Sequence, residues 1–468
     1  MNPFAPGPSP SVVPRMVSAA CALALSLLAA PAGVRIPRGP AWLAAGLVLW
    51  GARWHPVRPE LAMLAAGLAV MLLAAGFAQH ARIASALQAG LLAAACVSVA
   101  MALLQYFGGA APFVPFVSAG QLGEAYANLR QPNQFASFCW LGAAVLLWAP
   151  LRLPRPAAVL LIVLLAIGSA ASASRTAMLQ GVLLVALAAL WKGPERRWRL
   201  TLAAAAGVAY PAAVWVLPLL LEALQGTQPD RTLLKRMLAD TGCVSRTVLW
   251  SNVLHLIAQK PLAGWGWGEL DFAHFLSLYP GARFCEILDN AHNLPLHLAV
   301  ELGVPAALAV CVIGLLWMWR AQPWREDQPV RQLAWAWIVL MLVHAMLEYP
   351  LWYGPFQIAF GAALGWLLDD GMQSERRLDV PGVALGVLLV PVLAYAAWDY
   401  TRVSQSISRP KTAGRPGPTM RRPTRAARGC FRGRPVSPTS RSRTSRARTR
   451  ARWTCSPNAC CTTRPSRA

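Results

Sequence analysis

Apolar runs long enough to cross a bilayer recur along almost the whole of this chain, and nothing constrains its fold more. They fall near 16–31, 40–51, 60–79, 83–107, 134–149, 156–171, 177–191, 200–221, 303–319, 333–349, 355–368 and 381–398. A spanning helix needs roughly 20 mostly apolar residues, and inside lipid every backbone polar group must find its partner within the segment. The pattern predicts an all-α, polytopic helical membrane protein of about 11–13 spans, the shorter runs being tilted or re-entrant. Charge content agrees: 13% of residues are Asp, Glu, Lys or Arg, against about 25% in a soluble domain. Residues 16–31 have the look of a signal-peptide core, but further spans follow, so a signal anchor or first span is expected.

The net charge of +24 is concentrated at one end. Residues 409–468 hold 17 Lys and Arg and no acid, which leaves the rest of the chain 26 basic and 19 acidic residues. That modest excess suits basic cytoplasmic loops and excludes a nucleic-acid-binding surface. The tail is rich in Arg, Pro, Thr and Ser and has no Leu. Such a segment has too little apolar area to offset the entropy of ordering, so disorder is expected. Two readings fit this composition, a natural basic tail and, favoured, an out-of-frame reading of a GC-rich gene beginning near Ser406–Ser408.

Basic loops orient the spans. LRLPRP (151–156), WKGPERRWR (191–199) and RAQPWREDQPVR (320–331) read as cytoplasmic, which puts 108–132, 172–176, 222–302 and 350–354 on the outer side. The start of the chain conflicts with this alternation. Four crossings before residue 108 place the N-terminus outside, although RIPRGP (35–40) and GARWHPVRP (51–59) are equally basic. Either one early segment does not cross, or a span is missing. The chain divides into N-terminal transmembrane helices (1–107), a transmembrane core (108–221), a long polar loop (222–302), C-terminal transmembrane helices (303–398) and the basic tail (399–468).

Polar chemistry gathers on the outer side. ANLRQPNQFASF (127–138) crowds Arg130, Gln131, Asn133 and Gln134 around a proline that opens a helix. SASRTAML (172–179) puts Arg175 between two spans. The long loop carries Arg246, GWGWG, Asp289, His292 and Asn293. LEYPLWYGPF (347–356) ends a span at Glu348 and Tyr349. Polar residues on loops of an apolar chain mark a functional site.

These segments resemble the O-antigen ligase and polymerase superfamily. NLRQPNQFAS, SRTA, SRTVLW…KPLAGWGWG, HNLPLHLAVELG and EYPLWYG are most similar to those of its bacterial protein O-oligosaccharyltransferases, the pilin-glycosylation ligases. The likeness runs from about residue 100 to about 405. It implies an inner-membrane glycosyltransferase whose active site, in the 222–302 loop, faces the periplasm. Such an enzyme moves a glycan from undecaprenyl pyrophosphate to a hydroxyl of an acceptor, a pilin-like protein or the lipid A core. Membrane lipids are the other expected partners, and no cofactor or metal is expected. A lipid-glycan flippase is the rival from another class, and it predicts charges lining a path within the spans. An inactive product of a damaged gene is a further alternative.

The chemistry of the residues fits that reading. A leaving pyrophosphate needs its charge held, and Arg175 and Arg246 offer planar donor forks for phosphate oxygens. An imidazole with an ordinary pKa near 6.5 suits a base at neutral pH, so His292 is the candidate to activate the acceptor hydroxyl. Asp289, read as one helical turn earlier, is expected to orient the ring. Asn293, Arg130, Gln131, Asn133, Gln134, Glu348 and Tyr349 are expected to bind substrate. Cys243 and Cys285, both in the loop assigned to an oxidising compartment, are expected to pair.

Overall fold

The computed structural model describes residues 34–368, apart from 54–58, 115, 119, 194 and 239–241, together with 377–380, 394 and 398. All of these lie in one compact unit, Met1–Phe431. The apolar runs expected at 16–31 and 381–398, and the basic tail, lie outside the described residues or almost wholly so.

The chain opens on a short strand, β1 (Val34–Pro37), and continues into helices α1 (Arg38–Ala52), α2 (Pro59–Phe77), α3 (Ala81–Tyr106), α4 (Pro132–Trp148), α5 (Arg155–Ala171), α6 (Arg175–Leu190) and α7 (Arg196–Gln225). A polar stretch then holds α8 (Leu233–Leu238), α9 (Arg246–Gln259), α10 (Leu270–Leu276) and α11 (Leu294–Leu302). Helices α12 (Val304–Ala321), α13 (Pro329–Ala345) and α14 (Gly354–Leu367) follow, and then β2 (Arg377–Val380). By length and composition Ala81–Tyr106, Arg196–Gln225 and Val304–Arg325 can each cross a membrane, and several shorter apolar helices accompany them. The protein is an all-helical, multi-pass membrane protein. β1 and β2 add an antiparallel ladder that the apolar pattern does not foresee, with Val34 opposite Val380 and Pro37 opposite Arg377.

Helix α4 is the axis of the bundle: from Asn133 to Trp148 every residue is buried. One polar cluster inside is paired across helices. Ser137 Oγ donates to Gln180 Oε1 (2.8 Å) and lies 2.8 Å from His344 Nδ1, while Gln180 Nε2 donates to the Leu340 carbonyl (2.9 Å). In an apolar interior such bonds fix which helices face one another. Close approach does the same where α14 meets α2. A Cβ on Gly361 or Gly365 would stand 2.2 Å from the carbonyl oxygen of Met71 or Ala75. The four-residue spacing of these glycines lets the two backbones touch along one stripe.

The described residues hold three of the four early runs, and the first, 16–31, lies outside them. Three helices, α1 to α3, carry the chain from Pro37 to Phe107. Arg35 O accepts from Gln79 Nε2, and Ala78 O from Trp366 Nε1. Arg331 in turn bonds the carbonyls of Trp366 and Leu367, and Gln332 that of Lys192. RIPRGP therefore lies at the same end of the bundle as the basic loops at 191–199 and 320–331. At the opposite end Trp50 Nε1 donates to Leu302 O (2.7 Å), which puts the start of GARWHPVRP beside the long polar stretch.

One span is shorter than its apolar run. Helix α13 stops at Ala345, so Glu348 and Tyr349 belong to the connector that follows it. Pro350 is the cause: the residue before a proline is pushed out of the helical region, and Tyr349 sits at φ −129°, ψ 58°.

Candidate active site

The polar motifs turn out to be helix starts. Gln131 caps α4, its side-chain oxygen accepting from Gln134 N (2.6 Å), with Pro132 in the first turn. Ser174 caps α6 through Ala177 N (3.1 Å), Ser245 caps α9 through Val248 N (3.3 Å), and Asn293 caps α11 through Leu296 N (3.1 Å). Each leaves amide N–H groups and the positive end of a helix dipole at its N-terminus.

Glu348 draws these helix starts together. Its Oε1 accepts from Asn133 Nδ2 (3.1 Å) on α4 and from an Arg246 guanidinium nitrogen on α9. Asn133 Oδ1 in turn accepts from Ser174 Oγ (2.6 Å), which ties in α6. Asn293 reaches the same connector through Nδ2, which donates to Met346 O (3.1 Å). The Glu348 side chain is only 8% exposed. Burial pushes its carboxyl above the usual range, and the Arg246 charge and the bonds from Arg246 and Asn133 pull it back part of the way.

His292 faces the other oxygen of this carboxylate, with Nε2 3.5 Å from Glu348 Oε2. It lies in a turn ahead of α11, in the left-handed region at φ 51°. A non-glycine residue there needs local support, and Asn290 provides it. The His292 amide donates to Asn290 Oδ1 (2.8 Å), and Nδ1 lies 2.9 Å from Asn290 O. A carbonyl can only accept, so the ring hydrogen is on Nδ1 and the Nε2 lone pair is free. Burial, reinforced by the Arg246 charge, brings the His292 pKa down to about 3, so the imidazole is neutral. Tyr349 meets it edge-on at 5.1 Å between ring centres.

The ring is thus oriented by a backbone carbonyl. Asp289 is exposed and, among the described residues, makes no bond to it. Residues 289–293 form a turn, and helix begins only at Leu294, so the one-turn relation expected from spacing is absent.

Arg175 is exposed in the first turn of α6, and Arg246 is half-buried in the first turn of α9. A third arginine joins them that the motifs do not mark. Arg236 on α8 donates through Nη1 to Ala173 O (2.9 Å), beside the α6 start. Its pKa is lowered by burial and by the charges of Arg231, Arg175 and Arg246, while Glu348 opposes this. The sequence signal for Arg236 is slight: a basic residue three after Leu233, the one buried residue of a short helix. Arg130 is exposed in a left-handed turn at φ 57°, just before the α4 cap. Gln134 is fully buried, and its side-chain amide has no partner among the described residues. Gln131 and Asn293 use their side-chain oxygens as caps, so what they do here is place the helix starts.

The loop is held in shape by covalent and steric means. Cys243 and Cys285 are disulfide-bonded, which ties the approach to Arg246 to the approach to His292. In GWGWG, Trp265 N donates to Val300 O and Gly266 N to Glu301 O. Gly264, at φ +70°, comes so close to α11 that a Cβ would stand 2.4 Å from Glu301 O. Trp265 is anchored by its Nε1 bond to Leu256 O, while Trp267 stacks on Trp352. Among the described residues no group of three or more His, Cys, Asp or Glu side chains is arranged to hold a metal ion.

What the arrangement can do follows from its charges. Arg246 and Arg236 act on the Glu348 carboxylate, Arg175 lies close enough to act on Arg236, and the starts of α4, α6 and α9 are tied to the same group, so the site carries an excess of positive charge suited to an anion. Next to it stands a neutral imidazole whose Nε2 lone pair is turned toward Glu348 Oε2.

Comparisons with known proteins agree on what kind of protein this is. The family described as "O-Antigen ligase" matches residues 160–311, "Protein glycosylation ligase" matches 125–148, and "Virulence factor membrane-bound polymerase, C-terminal" matches 332–432. Each model matches part of the chain, and over those parts the chain is similar to the O-antigen ligase family. Among curated proteins it is 24% identical over 260 residues to the ComP-specific O-oligosaccharyltransferase of Acinetobacter baylyi, covering 55% of this chain and 46% of that protein. It is 25% identical over 294 residues to the general O-oligosaccharyltransferase of the same organism, covering 59% and 49%. The chain therefore spans about half the length of the curated relatives it matches. No solved structure matches it.

Proposed function

We propose that the protein transfers an oligosaccharide from undecaprenyl pyrophosphate to Ser or Thr hydroxyls of a periplasmic, pilin-like protein. The observation that carries this reading is the pairing of an anion site, Arg175, Arg236 and Arg246, with the free Nε2 of His292. The arginines and helix starts hold the pyrophosphate and take up the charge that grows on it as it leaves. His292 Nε2 accepts the proton of the acceptor hydroxyl, whose oxygen attacks the anomeric carbon as the bond to the pyrophosphate breaks. Asn133, Asn293 and Glu348 fix the positions of these groups. The periplasm is the compartment in which the Cys243–Cys285 bond is stable. Both curated relatives are named as O-oligosaccharyltransferases, which favours a protein acceptor.

A second reading, lipopolysaccharide O-antigen ligase or polymerase, is favoured by the matches at 160–311 and 332–432. Its donor is the same and its acceptor is a sugar hydroxyl. Expression with a lipid-linked glycan and a pilin in a host lacking its own ligases separates the two. Glycan on the pilin is the expected result, and glycan confined to lipid A or to longer lipid-linked chains establishes the second reading instead.

A further inference from the structure

We propose that Glu348 is a positioning residue that couples donor binding to the base. With the donor absent its carboxylate is held by Arg246, and once the pyrophosphate takes that guanidinium the carboxylate gives its charge to His292. The inference rests on the function proposed above and says how the two halves of that site communicate.

The geometry divides the labour between two oxygens. Oε1 faces Arg246 and Asn133, and Oε2 faces His292 Nε2 at 3.5 Å. The side chain starts from a fixed backbone, since Glu348 N donates to His344 O (2.8 Å) and Pro350 follows two residues later. Arg246 has freedom to change partner. Its side chain is 33% exposed, and it stands in the first turn of α9, where an arriving anion meets amide N–H groups as well.

Without the donor, two lone-pair-bearing atoms face each other across Oε2 and Nε2, and the nearby Arg246 cation opposes any charge on the imidazole. A base so depressed is a poor match for chemistry at neutral pH. The other charged or titratable groups around the pair are Arg236 on α8, His297 on α11, Tyr349 beside the ring, and Asp289 and Tyr353, which act on Tyr349. A pyrophosphate on Arg246, Arg175 and Arg236 cancels the opposing positive charge and frees the carboxylate from its cation. The acceptor's O–H bond then breaks, and the proton passes to Nε2. The acceptor oxygen bonds to the anomeric carbon, and the electrons of the broken carbon–oxygen bond leave with the pyrophosphate. The imidazolium that results lies against an ionised Glu348, and its proton departs to solvent after release.

The test compares pH profiles of the full-length protein in proteoliposomes, with undecaprenyl-pyrophosphate-linked glycan and a pilin acceptor. kcat/KM for the donor reports the free enzyme. kcat/KM for the acceptor at saturating donor reports the donor complex. The acidic limb is expected at higher pH in the donor complex than in the free enzyme. Glu348→Gln presents an amide N–H₂ where Oε2 was, so it is expected to lower kcat by about 10²-fold, the lower end of what a general base contributes. It should do so without raising the KM for donor, and Glu348→Asp should recover part of the loss. Coincident acidic limbs in the wild-type profiles overturn the coupling, and that measurement needs no variant to fold. An unchanged kcat in Glu348→Gln, or a loss confined to the KM for donor, overturns it as well. His292→Ala separates the levels. If it retains transfer, the base assignment fails and takes the coupling with it. If it is inactive while Glu348→Gln behaves as wild type, only the coupling fails.

Discussion

Two His–Glu pairs stand on neighbouring stretches of this chain, and they have opposite surroundings. His292 and Glu348 approach to 3.5 Å with side chains 17% and 8% exposed. The histidine turns its Nε2 lone pair toward Glu348 Oε2, and the glutamate is answered by Arg246 and Asn133. His297 and Glu301 approach to 3.3 Å, one turn apart on α11, with side chains 3% and 1% exposed. Trp267 and Trp352 both meet the His297 ring edge-on, at 5.4 and 4.9 Å. Neither Glu301 oxygen has a hydrogen-bond partner among the described residues. The same two residue types thus serve different ends according to what else reaches them. The first pair has a cation beside it and the greater exposure, which is what the proposed proton exchange with a ligand requires. Aromatic walls and a shared helix make the second a closed brace between α11, the GWGWG loop and the α13–α14 connector.

The largest contrast is expected in transfer activity. His292→Ala should lower glycan transfer by about 10²–10⁴-fold, the range for loss of a general base. Its thermal unfolding should stay close to wild type, because the ring gives up its contacts with Asn290, Tyr349 and Glu348 while Glu348 keeps Arg246 and Asn133. Transfer assays and a melt on the same purified sample check both halves. A large drop in melting temperature with activity per folded molecule retained reverses the assignment of the two pairs.

The second pair should fail in the opposite way. His297→Ala leaves Glu301 buried and alone, and breaking a buried pair at one partner costs about 3–5 kcal/mol. The expected phenotype is a loss of folded protein, read by detergent-resistant melting or by yield from membranes. The molecules that do fold should transfer glycan at near wild-type rate.

How much of this contrast was legible beforehand depends on range in the sequence. The spans were, because lipid demands long apolar runs, and helices α1 to α7 and α12 to α14 fall on the runs read from composition. The motifs were visible too, for a local reason: Gln131-Pro132, Ser174, Ser245 and Asn293 are cap signals, and a cap is written within four residues. The Cys243–Cys285 pairing followed from placing both in one loop. The role of Glu348 was not legible, since its partners Asn133 and Arg246 lie 215 and 102 residues away. Nor was the left-handed turn at His292, which moved Asp289 off the ring and put Asn290 there. Arg236 escaped notice because nothing local distinguishes it from Arg231 and Lys235. What makes it part of the site is the carbonyl of Ala173, 63 residues earlier.

Arg236 sharpens the comparison from the donor side, since among the described residues no arginine pairs with His297 or Glu301. Arg236→Lys keeps the charge and loses the planar fork. A hydrogen bond to a charged group contributes about 1.5–3 kcal/mol, so donor affinity or kcat/KM should fall by roughly 10–100-fold. The check is a titration with undecaprenyl pyrophosphate alone, alongside turnover with a small acceptor. A variant that binds and turns over donor normally removes Arg236 from the anion site.

The smallest effect, per pH unit, is expected in the stability of the ligand-free protein, and its sign is fixed by His292. The ordinary histidine pKa is 6.5, and in the folded protein burial and Arg246 bring this one down to about 3. Above pH 6.5 the ring is neutral in both states and contributes no slope. Between 6.5 and about 3 the unfolded chain binds a proton that the folded protein refuses, so stability falls as pH falls. One proton sets the limit, about 1.4 kcal/mol per pH unit. Glu348 acts in the opposite sense: its raised pKa lets the folded state keep a proton that the unfolded chain has lost, which favours folding as pH falls. His292→Asn tolerates the left-handed turn and cannot titrate. Melting curves of this variant should be flatter between pH 6.5 and 4 than those of wild type, or should turn over in the direction set by Glu348. The His297–Glu301 brace is intact in both proteins and cancels from the difference. An identical slope in the two means that His292 is not the buried neutral base that its burial and the Arg246 charge make it.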